Sequence, residues 1–111
     1  MALPNVTATI PAGSPTSGVV TMVGKLSGIS VPAGWTAAPL SFQVSPDNGV
    51  TWFEFSMNGN EFVIPNPGAS TFSGIDYRFW GGVTALIVRS GTSVSPVNQT
   101  SQIALTLTQQ A

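Results

Sequence analysis

The chain has 111 residues, of which 42% are hydrophobic and only 6% charged, for a net charge of −1. It contains no cysteine and no histidine, which excludes a disulfide framework, a Ser-His-Asp triad and a cysteine nucleophile. Its three cations, Lys25, Arg78 and Arg89, are too few and too scattered to neutralise a run of phosphates, so direct nucleic-acid binding is not expected.

In chain order, residues 1–17 come first. Pro4, Pro11 and Pro15 remove backbone donors and disfavour sheet pairing, so this stretch reads as an extended N-terminal arm available to a neighbouring subunit. Residues 1–5 carry neither a basic segment nor an apolar one, so no signal peptide is expected. Residues 18–111 read as a single domain. Within it, alternation and β-branched content predict strands at 40–44, 83–88 and 103–108 and weaker ones at 18–23, 27–31, 50–55, 61–64 and 77–80, with another weaker one at 6–10 inside the arm. Ile103, Leu105 and Leu107 alternate with Ala104, Thr106 and Thr108, the period of two of a strand with one buried face. Val83 to Val88 is almost wholly apolar, like a central strand covered on both sides. Glycine and proline interrupt nearly every other window, and the apolar runs are too short for a membrane-spanning helix. Many short strands separated by turns predict an all-β, antiparallel β-sandwich, jelly-roll-like, with no helix required.

The sharpest local motif is Ser45-Pro46-Asp47-Asn48-Gly49-Val50-Thr51-Trp52. It matches S-x-D-x-G-x-T-W and resembles the Asp-box hairpin of sialidases, a folding element remote from catalysis. Asp47 is expected to accept hydrogen bonds from turn amides, Gly49 to take a positive φ, and Thr51 and Trp52 to open the returning strand under the indole. A calcium site built from Asp47, Asn48 and Glu54 or Glu61 would need six to eight oxygens and finds too few here, so no metal or cofactor is expected. Glu54 and Glu61 flank a hairpin through Asn58-Gly59-Asn60. As a facing pair they could serve glycoside hydrolysis, but two solvated strand residues are the simpler reading. No catalytic residue is assigned, and an enzyme is not expected. Trp35, Tyr77 and Trp80 are candidate partner contacts, or alternatively a platform for carbohydrate at a cell surface.

Three segments resemble a group of small tailed-phage virion proteins. They are residues 32–45, which match the group's W-T-x-A-x-L-x-F-Q-x-S stretch, the turn from Asp47 to Trp52, and residues 86–92, 96–99 and 103–107, which resemble its I-R-S-G-T…P-V-N-Q…I-T-L ending. The likeness covers about two thirds of the chain and leaves the first thirty residues and the insert from Met57 to Gly74 unassigned. It implies a non-enzymatic head decoration (cement) protein in the virion, assembled in the host cytoplasm. The partners implied are the major capsid protein and further copies of itself, a trimer by analogy with three-fold lattice positions. A head fibre, neck or tail accessory protein is the alternative within the same group. Arg89 is the position carried over, pairing with a carboxylate or with carbonyls at its strand end. Pro4, Pro11, Pro15, Trp35, Tyr77, Trp80 and Arg89 are the expected partner contacts.

Overall fold

A computed structural model describes residues 2–111. Ten strands form three antiparallel sheets: β1 (Ala2–Ile10), β2 (Val20–Thr21), β3 (Lys25–Val31), β4 (Leu40–Ser45), β5 (Phe53–Glu54), β6 (Ser56–Met57), β7 (Asn60–Glu61), β8 (Thr71–Gly74), β9 (Ala85–Ser90) and β10 (Ile103–Gln110). One four-stranded sheet has the order β1-β10-β3-β8 and the other β2-β9-β4-β5, with β6-β7 as a separate hairpin. The all-β, antiparallel class is as the alternation predicts.

Four of the pairings are nested. β1 pairs with β10, β2 with β9, β3 with β8, and β4 with β5, all antiparallel. The chain therefore runs out and back as one long ribbon, its outermost strands being its two ends. Two further pairings, β10 with β3 and β4 with β9, join the ribbon's coils side by side. The inward side chains of both four-stranded sheets meet in a single apolar cluster: Ile10, Ile29 and Leu105 from one sheet, Leu40, Phe42 and Leu86 from the other, all without exposed surface. Each such side chain contributes roughly 1.5–3 kcal/mol by leaving water. No disulfide supports this core, so burial carries it.

The first seventeen residues are not a free arm. β1 pairs with β10 from Val6↔Leu107 to Ile10↔Ile103, and Ala8 and Ile10 are completely buried. Pro4 is accommodated at a register shift between Leu3 and Val6, on an edge strand where a missing donor is tolerated. Thr16 then bridges to Arg89, and the Ser17 amide donates to the Val88 carbonyl at 2.9 Å. Burying Ala8 and Ile10 outweighs the proline signal.

The expected strand at 77–80 is a 3-10 helix, Tyr77–Trp80. Asp76 caps it, its Oδ1 accepting from the Arg78 amide at 3.1 Å, so a local side chain supplies the bond that a strand would need from a neighbour. The expected strand at 50–55 shrinks to Phe53–Glu54, because the turn holds Val50 and Thr51. Beyond it, Asn58 and Gly59 take φ of 55° and 82°, the left-handed pair that closes the two-residue hairpin β6-β7.

Candidate functional site

The Asp-box-like turn leaves the end of β4. Ser45, wholly buried, donates from Oγ to Asp47 Oδ1 at 2.8 Å and accepts from the Gly49 amide at 2.8 Å. Asp47 Oδ1 also accepts from the Thr51 amide at 2.8 Å. Asn48 and Gly49 have φ of 58° and 90°. The Trp52 indole lies beside Gly49, 3.6 Å from where a β-carbon would stand. The Thr51 amide and the Ser45 hydroxyl hold the exposed Asp47 carboxyl below its ordinary range. Thr84 Oγ1 accepts from the Asn48 amide at 2.8 Å and donates to the Ser45 carbonyl at 3.1 Å, fastening the turn to the start of β9. The Ser45 and Asp47 side chains are thus spent within the turn, and Thr84 ties it to the sheet, which makes it a structural joint. Among the described residues, no three His, Cys, Asp or Glu side chains gather to hold a metal.

Arg89 sits on β9, 6% exposed, where it was expected as a partner contact. Its guanidinium instead binds inside the chain. Nη1 donates to Glu54 Oε2 at 3.1 Å, Nη2 donates to Glu54 Oε1 and to Glu61 Oε2 (2.8 Å for the latter), and Nε donates to Ser41 Oγ at 2.9 Å. Ser41 Oγ in turn donates a hydrogen bond to the Gly91 carbonyl at 2.7 Å. Glu61 is also bound by the Ser93 amide and hydroxyl, both at 3.0 Å, and Glu54 by Gln43 Nε2 at 3.2 Å. One side chain thus joins β9, β4, β5, β7 and the loop after β9. The Arg89 hydrogen bonds and charge hold the Glu54 carboxyl below its usual range, and Arg89 itself is raised by Glu54. Glu54 and Glu61 face the same guanidinium.

The aromatic residues divide. Trp80 is 2% exposed and stacks on Phe55 with centroids 4.1 Å apart and an interplanar angle of 25°. Phe42 meets its edge at 5.1 Å, and Phe62 lies 6.1 Å away. Trp35 is 7% exposed, and its indole N–H is the single buried side-chain polar atom without a partner among the described residues. Only Tyr77 is exposed, at 41%, so Trp35, Tyr77 and Trp80 form no common platform for a sugar. As partner contacts or a sugar platform they were expected at the surface, but the cost of wetting an indole dominates for Trp35 and Trp80. Pro4 and Pro11 are exposed and Pro15 half-buried, spread along β1 and the strap that follows it.

The surface carries apolar residues that the sequence did not single out. Phe53, Phe72 and Phe79 are 55%, 59% and 54% exposed, and Val23, Val50 and Val94 more so. Phe72, on the edge strand β8, lies over Gly28, where a β-carbon would collide with its ring. Two glutamines are buried among the apolar residues. Gln99 Oε1 accepts from the Thr36 amide at 2.7 Å, and its Nε2 donates to the Thr36 carbonyl at 3.0 Å and to Ser90 Oγ at 2.8 Å. Gln109 Oε1 accepts from the Val23 and Gly24 amides, both at 3.0 Å, while Nε2 donates to the Pro4 carbonyl at 2.9 Å. The signal for Gln109 was its place in the inward phase of Ile103, Leu105 and Leu107.

Two surface grooves are small. One of about 270 Å³ is lined by Val23, Lys25, Gly82 and their neighbours, and one of about 350 Å³ by Thr7, Thr9, Pro11, Gly18, Val19 and Val20. Against known proteins, the chain matches no family model, no curated protein and no solved structure.

Proposed function

We propose that this protein is a non-enzymatic structural component of a phage virion that decorates the capsid and stabilises it by bridging subunits of the major capsid protein. The framework we propose is a jelly-roll-like β-sandwich. What supports that finer reading is the nesting of the β1-β10, β2-β9, β3-β8 and β4-β5 pairs, the order produced when an antiparallel ribbon is rolled up, with both sheets sharing one apolar cluster.

The observation that carries the functional reading is the character of the surface. Phe53, Phe72 and Phe79 are more than half exposed, while five of the seven charged residues are engaged in ion pairs with one another. A surface poor in free charge and supplied with large apolar side chains resembles the centre of an interface. Catalysis has little to work with, since Glu54 and Glu61 share one guanidinium and Asp47 closes its own turn. The burial of Trp35 and Trp80 removes the support for a carbohydrate platform.

Mixing the purified protein with undecorated phage capsids and counting bound copies by sedimentation tests the proposal. Saturation at a lattice stoichiometry, with a higher capsid melting temperature, is the expected result. A few copies per particle would move the protein to a head fibre, neck or tail position. Absence of binding would overturn the virion reading.

A further inference from the structure

Among the described residues the edge of β1 has no strand beyond it, and its sequence carries a symmetry that only a particular partner would use. Edge strands are ordinarily guarded by charge, by proline, by a bulge or by a covering loop. In β1, Pro4 and the register shift between Leu3 and Val6 guard the first half only. From Val6 to Ile10 the strand is regular and contains no charged residue. Beside it runs the groove of about 350 Å³ lined by Thr7, Thr9, Pro11 and Gly18–Val20, also without a charge. Nothing lies within 4 Å of a β-carbon position on Gly18, and Val19 is 59% exposed at the groove wall. Alternate residues of an edge strand direct their N–H and C=O groups outward, so this groove borders a row of unpaired main-chain partners.

The segment Val6-Thr7-Ala8-Thr9-Ile10 reads the same in character from either end. Ala8 and Ile10 point into the core with Val6 packed against it, while Thr7 and Thr9 are exposed on the outer face. Antiparallel pairing with an identical strand about a two-fold axis at Ala8 would place Val6 opposite Ile10, Thr7 opposite Thr9, and Ala8 opposite Ala8. Both faces then match: aliphatic residues meet over the joined cores, and threonines meet on the outside. A two-fold interface requires self-complementarity of this kind. Pro11 ends the segment just where its two-fold mate, Asn5, borders Pro4.

We propose that the Val6–Ile10 edge is a pairing site for a second copy of this chain, joining two four-stranded sheets into one of eight. This goes beyond the decoration reading and does not depend on it. It also specifies a two-fold pair where analogy suggested three-fold symmetry.

Sedimentation equilibrium of the full chain, up to about 1 mM so that weak association is populated, should approach twice the 11.4 kDa chain mass. The double variants Thr7→Lys/Thr9→Lys and Thr7→Glu/Thr9→Glu place like charges opposite each other and should each be monomeric, with unchanged thermal melting because both sites are exposed. Mixed together, they should form dimers again, since each lysine would then face a glutamate. Amide exchange in the unmodified protein supplies a second readout: exchange at Val6–Ile10 should slow as concentration rises. A wild type monomeric throughout, a three-fold mass, dimers indifferent to both variants, or exchange independent of concentration would each overturn the pairing. A monomer whose capsid binding is lost in the lysine variant would assign this edge to a shell subunit and overturn self-pairing. Dimers that fail to bind capsids would overturn the decoration reading alone.

Discussion

Arg89 holds a full charge where water hardly reaches, and its neighbours are arranged to keep it there. Two carboxylates and a serine hydroxyl occupy its fork, and those carboxylates are in turn bound by Gln43 and Ser93. Replacing Arg89 with methionine leaves Glu54 and Glu61 adjacent without their shared counter-ion. It should lower stability by about 2–4 kcal/mol, less than for a fully buried pair because both glutamates touch solvent. The shift in guanidinium chloride midpoint measures it. The same cluster sets a pH dependence. Glu54 titrates below its ordinary 4.5 in the folded protein because Arg89 bonds its carboxylate. A depressed carboxylate pKa contributes stability above the unfolded value and loses it as pH falls through the folded one. The melting temperature should therefore decline as pH drops below about 4.5, and Arg89→Met should decline less steeply over that window. The resemblance pointed to a carboxylate partner for Arg89 but not to which one. Glu54 and Glu61 lie 35 and 28 residues before Arg89, and only the coiling of the ribbon brings them together.

At the scale of elements, β1 decides whether the first residues are an accessory or part of the fold. It covers β10 along its whole length, and its Ala8 and Ile10 have no exposed surface. Removing residues 2–10 should abolish cooperative thermal unfolding by circular dichroism, because β10 would lose one of its two partners and the core would be wetted. A dispensable arm would leave that transition unchanged. β10 itself was readable, since a strict period of two survives any tertiary context that buries one face. The helix at 77–80 was not readable. Tyr-Arg-Phe-Trp alternates like a strand, yet Asp76 closes a local turn and Trp80 completes the cluster of Phe42, Phe55 and Phe62. The insert from Met57 to Gly74 also proves structural: it supplies Phe62 and Ile64 to the core margin, and the Ile64 amide donates to the Leu40 carbonyl at 2.9 Å.

For the whole molecule, a net charge of −1 with most charges internally paired removes long-range steering of any partner. Capsid binding driven by apolar contact should vary less than about threefold between roughly 0.05 and 0.5 M salt, whereas binding driven by charge would weaken steeply over that range. Co-sedimentation at the two salt concentrations distinguishes them. The ribbon topology adds a mechanical consequence. The first and last strands, β1 and β10, are neighbours, so pulling on either one opens the same sheet.

The sequence by itself determined the all-β class, the principal strands and the turn from Ser45 to Trp52, because alternation and local hydrogen bonding act over a few residues. It also determined that charge could play only a small part. Tertiary structure alone decided that the first residues form an edge strand, that Trp35 and Trp80 are inside, and that Arg89, Glu54 and Glu61 form one cluster. Those outcomes depend on which strands become neighbours. In a ribbon whose outermost pair joins residues 2 and 110, that information is spread over nearly the entire chain.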